Sequence, residues 1–285
     1  MDIIQRLHDA GFARIIVLDG AECGHSDAGS IILALWPYEA QRETTSEGAQ
    51  IHPYYYASQK AYEAAAAIAK QCAEGGAALR DDIRVKPIFA RLPGFTQGRN
   101  TLSYVEEYGS RFHVQIMTTA GKLPPTHHLQ EQEHELHCGQ CRRCIDACPT
   151  NALENGIFHR ERCLRNWMMN GQPVPEQIRA KMGNMLIGCD ICQRVCPHNT
   201  APAGEPADAV ALSKLLSLPK ETAHSLRPLI GANLSIPNRV LSQACLLAGC
   251  SGNPAYLPQL EVLQKHPSPA VAEHAEWAVR VLKEK

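Results

Sequence analysis

Hydrophobic and polar positions fall into three successive patterns along the chain. Through residues 1–125, short apolar runs alternate with helical stretches. Residues 2–10 carry apolar side chains at three- and four-residue steps and predict a helix, whereas 13–18 and 30–36 are largely apolar runs of strand length. Residues 54–72 predict an alanine-rich helix, and 113–117, past the turn Tyr108-Gly109-Ser110, predict a further strand. Strands interleaved with helices suggest an α/β or α+β layer for this region, within a chain that is α+β as a whole. A polar bridge at 126–137 includes His127, His128, His134 and His137; it reads as a solvated linker or short exposed helix rather than a metal site. From about residue 207 the pattern is wholly helical, with helices predicted at 240–247, 255–263 and 270–282 between short Gly/Pro breaks. That cadence suits a stack of helical repeats.

Composition adds limits. Hydrophobic residues make up 45% and charged residues 20%, with a formal net charge of −1 across 285 residues. These are values of a soluble globular protein and not of a strongly basic nucleic-acid binder, although a local basic face is compatible with them. The N-terminal Met1-Asp2-Ile3-Ile4 has no signal-peptide character, and the longest apolar run, 31–37, is far too short to span a membrane. A cytoplasmic location without membrane contact is therefore expected. In that reducing compartment twelve cysteines point to metal or catalysis rather than to disulfides.

Eight of the twelve lie within 138–199. Cys138-x₂-Cys141-x₂-Cys144-x₃-Cys148-Pro149 has the spacing of the bacterial ferredoxin run, in which the fourth cysteine ligates the other cluster. Cys189-x₂-Cys192-x₃-Cys196-Pro197 repeats its ending, and Cys163, between the groups, fills the remaining vacancy. The spacing thus predicts two [4Fe–4S] clusters, one on Cys138, Cys141, Cys144 and Cys196, the other on Cys148, Cys163, Cys189 and Cys192. Zinc also takes Cys-x₂-Cys pairs, but in isolated fours rather than three at successive steps with a proline-terminated outlier. Cys72 and Cys245 lie in apolar helical patterns and read as core residues, while Cys23 and Cys250 lie in turns. Between Cys138 and Cys196, eight Arg/Lys stand against five Asp/Glu, and Arg142, Arg143, Arg162 and Arg165 are placed to offset cluster charge.

The stretches CGQCRRCIDACPTNAL and PVPEQIRAKMGNMLIGCDICQRVCPHN resemble the iron–sulfur domain of the epoxyqueuosine reductase family. Asn238-Arg239-Val240-Leu241, Ser251-Gly252-Asn253-Pro254 and Glu273-His274-Ala275-Glu276-Trp277-Ala278 are similar to that family's C-terminal HEAT-like helices. Tyr56-Ala57-Ser58-Gln59-Lys60-Ala61-Tyr62 and Gly98-Arg99-Asn100-Thr101-Leu102 look like its N-terminal motifs, in a region shorter than the family's. The resemblance implies an α/β cobalamin-binding-type domain at 1–125, a ferredoxin-like two-cluster domain at 126–205 and a HEAT-like domain at 206–285. It implies cobalamin, with Tyr56, Lys60, Tyr62, Arg99 and Asn100 as candidate cofactor-binding residues. It also implies a tRNA partner held by the C-terminal helices and the basic cluster region, an unidentified electron donor, and reduction of epoxyqueuosine to queuosine. The family's Asp-Ser-Ala-Pro segment is absent; Arg80-Asp81-Asp82-Ile83 stands in its place, which leaves Asp81 or Asp82 as the candidate proton donor. Two other readings fit the same residues: a two-cluster electron carrier, and a corrinoid-dependent reductase of another substrate.

Overall fold

The computed structural model describes residues 2–40, 48–131, 138–154, 157–168, 170–200 and 210–284. The chain begins with α1 (Ile3–Asp9), β1 (Arg14–Asp19), β2 (Ser30–Pro37), β3 (Gly48–Ile51) and α2 (Pro53–Gln71). Next come β4 (Ala78–Leu79), α3 (Val85–Ala90), β5 (Thr96–Gln97), β6 (Ser103–Tyr104) and β7 (Phe112–Thr119). The cysteine-rich region contributes α4 (Arg143–Asp146), β8 (Leu153–Glu154), β9 (Ile157–Phe158), α5 (Leu164–Met168), α6 (Glu176–Arg179), β10 (Met185–Ile187) and α7 (Ile191–Arg194). Last, β11 (Val210–Ala211) leads into α8 (Leu212–Ser217), α9 (Pro219–Ile230), α10 (Pro237–Ser251), α11 (Leu257–Leu263) and α12 (Pro269–Lys283). Two compact units divide the chain. The first comprises Met1–Ala40, Tyr56–Arg142 and Val195–Pro202; the second comprises Gln41–Tyr55, Arg143–Arg194 and Ala203–Lys285.

In the first unit, β1, β2, β7 and β4 pair in that order, and every pairing is antiparallel. The N-terminal layer is therefore α+β and not a parallel α/β layer, a distinction that depends on strand direction and leaves no mark on apolar spacing. Side chains of β2 alternate between two cores. Ile31, Leu33 and Leu35 pack with Phe89, Phe95 and Phe112, whereas Ile32 and Ala34 pack with Leu7 of α1 and Ala61, Ala65 and Ile68 of α2. Burial on both faces is why β2 reads as a continuous apolar run. Truncating one such side chain, Leu33→Ala for example, costs about 2–5 kcal/mol.

Over its first part the polar bridge is the solvated linker that the sequence predicts, without helix and with Thr126, His128 and Gln130 exposed. Thr126 N–H donates to Val17 O at 2.9 Å, Val17 N–H donates to Thr126 Oγ1 at 2.9 Å, and Gln130 N–H donates to Arg91 O at 2.8 Å. Thr126 thus supplies polar partners to the outer edge of β1 and Gln130 to the end of α3, tasks for which a hydrophilic stretch suffices. Residues 132–137, with His134 and His137, lie outside the described residues.

In the second unit, β3 pairs parallel to β10 and antiparallel to β11. The short strand β11 corrects the expectation of a wholly helical tail; two residues are too few to give a period. Beyond it the predicted helices at 240–247, 255–263 and 270–282 correspond to α10, α11 and α12. Helix α10 packs against α12, α8, α9 and β10. A Cβ on Gly249 would lie 2.6 Å from Trp277 Cζ3, so glycine is what lets α10 and α12 approach. Proline in the first turn starts α9, α10 and α12, and Gly252 with φ 69° ends α10. His274 of α12 ties the layer to the cysteine-rich region: its Nε2 accepts from Val174 N–H at 2.8 Å, while Nδ1 lies 3.1 Å from Ser242 O. No described helix is long and apolar enough to cross a membrane.

Candidate metal centre

Both Cys-x₃-Cys-Pro segments fold into the same local form. Each first cysteine sits in a four-residue helix, Cys144 in α4 and Cys192 in α7. Each second cysteine opens a turn with proline in its second place, closed by Asn151 N–H on Cys148 O at 3.2 Å and by Asn199 N–H on Cys196 O at 3.1 Å. Each helix ends three residues before the proline, and the turn then separates the two cysteines of the segment, so their thiols need not serve the same centre.

The second unit contains Cys144, Cys148, Cys163, Cys189 and Cys192. Burial pushes the Cys189 thiol up to about 12, and the nearby Cys163, Asp190 and Cys148 add to this. Burial likewise raises Cys192, followed by Cys189, Cys163, Cys144 and Cys148. The sulfurs of Cys144, Cys148, Cys163, Cys189 and Cys192 therefore lie within one another's influence. Backbone donors face them: Ala152 N–H reaches Cys148 Sγ at 3.3 Å, Arg165 and Asn166 N–H reach Cys163, and Ile191 N–H reaches Cys189. Gly188 aims Cys189 from the end of β10. With φ 90° and a Cβ position 2.6 Å from both His52 Cβ and Tyr55 Cε2, it admits no side chain without movement. His52 Nε2 lies 3.1 Å from Gln193 Oε1, and the Arg165 guanidinium sits 5.4 Å above the Tyr55 ring.

The first unit contains Cys138, Cys141 and Cys196. The hairpin β5–β6 faces two of them. Arg99 N–H donates to Cys138 Sγ at 3.4 Å and Arg99 Nη2 donates to Gly139 O at 2.6 Å. The Tyr104 hydroxyl lies 3.0 Å from Asn100 Oδ1 and 3.3 Å from Cys196 Sγ. Burial, then Cys196, raises the Tyr104 phenol far above its ordinary value, so it stays protonated. Asn199 Oδ1 accepts from Ser110 N–H at 2.7 Å, beside Gly109, where a Cβ would lie 2.2 Å from that oxygen.

These residues fit iron–sulfur clusters. Buried thiols that raise one another's pKa ionise only beside strong positive charge, which a cluster's iron supplies. Among the described residues Arg99 Nε is buried without a hydrogen-bond partner, on a residue whose backbone N–H faces Cys138, so a donor stands available to a cluster there. Among the described residues no three His, Cys, Asp or Glu side chains close on a point as a single ion needs. A four-iron cage is gripped at separate corners and needs no such convergence on one point.

The remaining candidates are dispersed. Arg80 grips Asp82 through two bonds of 2.7 Å and reaches Asp27 at 2.8 Å. The Arg80 hydrogen bonds hold the Asp82 carboxyl down at about 2, so it carries no proton at neutral pH. Asp81 is exposed beside it. On α2, Tyr56 is half-buried while Lys60 and Tyr62 are exposed. At 100° per residue Tyr56 and Lys60 share a side and Tyr62 stands about 120° from Tyr56. Arg99 and Asn100 lie at the cysteine loop. Cys72 and Cys245 pack in apolar cores, Cys23 is half-buried against another, and Cys250 Sγ meets Arg179 O at 3.4 Å. His52, Tyr55, Gln193 and Tyr104 were not legible as site residues. Only Tyr104 had a signal, its place just after the Gly-Arg-Asn-Thr-Leu motif.

Comparison with known proteins bears on this geometry. The profile of the 4Fe-4S double cluster binding domain matches residues 137–199, and the chain accordingly carries iron–sulfur ligands of that class. The epoxyqueuosine reductase of Bacillus subtilis (strain 168) is 30% identical over 197 residues, which are 65% of this chain and 50% of that protein. That of Lactococcus garvieae (strain Lg2) is 30% identical over 200 residues, 66% of this chain and 55% of that protein. The chain thus spans about half the length of these curated relatives. The structure of epoxyqueuosine reductase from Streptococcus thermophilus has a TM-score of 0.75 at 22% identity, covering 99% of this chain and 90% of that one. An epoxyqueuosine reductase crystallised with a tRNA-Tyr epoxyqueuosine-modified stem loop has a TM-score of 0.74 at 20% identity, covering 98% and 89%. The structural likenesses carry the fold.

Proposed function

We propose that this chain, a homologue of the epoxyqueuosine reductases, is itself an iron–sulfur oxidoreductase that converts epoxyqueuosine to queuosine in tRNA. The observation that carries the reading is the proximity of Cys144, Cys148, Cys163, Cys189 and Cys192 in the second unit, together with the Cys-Pro turn that both cysteine segments repeat. The ligand sets are those of the spacing: Cys138, Cys141, Cys144 and Cys196 on one cluster, Cys148, Cys163, Cys189 and Cys192 on the other. Clusters carry electrons singly, and backbone N–H groups on their sulfurs set how readily they accept them.

Cobalamin belongs to the same proposal. When bound, it would supply a low-valent cobalt as the reductant of the epoxide carbon. Tyr56 and Lys60, on one side of α2, and Arg99 and Asn100 are the residues offered to it, whereas Tyr62 lies on a different side of the helix. Asp81 is the carboxyl left to serve the departing oxygen, since both oxygens of Asp82 are taken by Arg80. The domains follow as cofactor and substrate at 1–125, clusters at 126–205 and HEAT-like helices at 206–285, the last contacting tRNA together with the basic cluster region. A soluble enzyme in the cytoplasm with a separate electron donor completes the reading.

The grip of Arg80 on both oxygens of Asp82 favours a second reading, an electron carrier whose helical tail docks on a partner enzyme. Anaerobic purification and cluster reconstitution, followed by cobalamin addition and visible spectroscopy with and without reductant, separate the two. A corrinoid spectrum that changes on reduction supports the reductase; absence of corrinoid binding leaves the carrier. Mass spectrometry of tRNA bearing epoxyqueuosine then reports conversion, and Asp81→Asn should lower that rate at least tenfold while Asp82→Asn changes it little.

A further inference from the structure

Tyr104 presents one proton to two acceptors. Its hydroxyl is 3.0 Å from Asn100 Oδ1 and 3.3 Å from Cys196 Sγ. The amide oxygen of Asn100 is fixed on this side because it also accepts from Leu102 N–H at 3.2 Å, so Asn100 has only an acceptor to offer the phenol here. A free thiol at Cys196 would donate to the Tyr104 oxygen, and the phenol proton would go to Asn100. A cluster-bound thiolate has no proton and only accepts, so with a cluster in place the phenol is the sole donor between Asn100 and Cys196.

The surrounding loop is built to hold the ring there. Thr96 pairs with Tyr104 and Gln97 with Ser103 across β5–β6. The turn is closed by Gly98 N–H on Leu102 O at 2.9 Å and Thr101 N–H on Gly98 O at 2.8 Å. Thr101 adopts φ 63°, a left-handed conformation that costs a β-branched residue energy. At Gly98 a Cβ would lie 2.4 Å from Tyr104 Cε2, so a side chain there would displace the ring. The same loop sends Arg99 N–H to Cys138 Sγ at 3.4 Å. Two cysteines assigned by spacing to one cluster thus receive their donors from a single hairpin, Cys138 from its turn and Cys196 from β6.

We propose that Tyr104 is a positioning residue that sets the reduction potential of the cluster ligated by Cys196, by donating its hydroxyl proton to that sulfur in competition with Asn100. The inference rests on the cluster reading above and deepens it. When the cluster takes up one electron its sulfurs become more negative, and the O–H···S bond strengthens. The reduced state gains more than the oxidised one, and the potential rises. No bond is broken and no proton leaves the phenol; the electron comes from the external reductant.

The test is an anaerobic redox titration of the reconstituted full chain with dithionite, monitored by electron paramagnetic resonance, alongside iron and acid-labile sulfide analysis. In Tyr104→Phe the ring still fills its place. Iron and sulfide are expected to stay at the wild-type level while one of the two midpoints falls by about tenfold in its reduction equilibrium, about 59 mV for one electron. Asn100→Ala removes the competing acceptor and is expected to move the same midpoint upward. That opposite sign is one a packing defect would not produce, and it decides the matter if Tyr104→Phe fails to assemble its clusters. Both midpoints unchanged in a cluster-loaded Tyr104→Phe, or both variants shifting in the same direction, would overturn the assignment. Wild-type protein that takes up neither iron nor sulfide would instead sink the cluster reading itself, a distinguishable result.

Discussion

Cys148-Pro149-Thr150-Asn151 in the second unit and Cys196-Pro197-His198-Asn199 in the first follow matching four-residue helices and close with nearly equal bonds of 3.2 and 3.1 Å. Their surroundings differ. Cys148 Sγ is served locally, by Ala152 N–H at 3.3 Å with Thr150 Oγ1 at 3.7 Å, whereas Cys196 Sγ meets the phenol of Tyr104, ninety-two residues earlier in sequence. Asn151 lies exposed with φ 51°, while Asn199 is bonded into the Ser110 turn. Spacing and proline determine the turn; distant segments determine what the sulfur experiences.

The strongest challenge to this contrast is removal of Cys163, which comes from outside either turn. Cys163→Ala should cut bound iron from about eight atoms per chain to about four or fewer. Alanine at Cys72 or Cys245 should leave iron unchanged. Iron staying near eight in Cys163→Ala would break the second ligand set. A glycine pair comes next. Gly188→Ala brings a Cβ to 2.6 Å from His52 and Tyr55 at φ 90° and should cost about 3 kcal/mol, with cluster loading falling in parallel. Gly139→Ala, at φ 49° but with nothing within 4 Å, should cost only about 1 kcal/mol of backbone strain. Urea midpoints that rank the two the other way would mean the Cys189 side is the looser one.

What could be read in advance follows the same division. Helices α2, α10 and α12 and strands β1, β2 and β7 were legible because their apolar periods are long. The double-cluster segment was legible because ferredoxin-type cysteines recur at fixed short spacings, whereas Cys163, far from either group in sequence, was placed only by the vacancy it fills. Strand direction was not, nor was the pairing of β3 with β10, which joins residues 50 and 185. That pairing is what brings His52 and Tyr55 to Gly188, and no local pattern announces it. Asp82 looked available because its partner Arg80 stands two residues away, too near for sequence alone to distinguish a gripped carboxylate from an open one.

Buried histidines give a smaller effect that treats both units alike. Burial lowers His274 in the second unit and His113 in the first to about 4, below the ordinary 6.5. His274 is 1% exposed, and its Nε2 is occupied as an acceptor for Val174 N–H; a proton there would face a donor. The unfolded chain therefore binds a proton first as pH falls. Stability from His274 is complete above about pH 6.5 and is lost through the window down to about 4, amounting to about 2 kcal/mol by pH 5. Urea midpoints at pH 7 and pH 5 should diverge less in His274→Gln than in wild type, and His113→Gln should act in the same direction. Equal pH slopes in all three proteins would show that neither ring is held neutral.

The finest test returns to the two asparagines that close the Cys-Pro turns. Asn151 adopts a left-handed φ that asparagine tolerates and glycine prefers, and its side chain is exposed. Asn151→Gly should therefore be neutral or stabilising by a few tenths of a kcal/mol. Asn199 does not share that φ; its value lies in the amide, which accepts from Ser110 N–H at 2.7 Å and donates from Nδ2 to Ser110 Oγ at 3.0 Å. Asn199→Gly removes both bonds and leaves the Ser110 N–H in need of a partner, at a cost of about 1–2 kcal/mol. Denaturant midpoints of the two glycine variants, measured with clusters loaded, should move in opposite directions or differ by at least about 1 kcal/mol. If they move together by the same amount, the turns are equivalent in energy as well as in form, and the contrast drawn from Tyr104 and Ser110 does not hold.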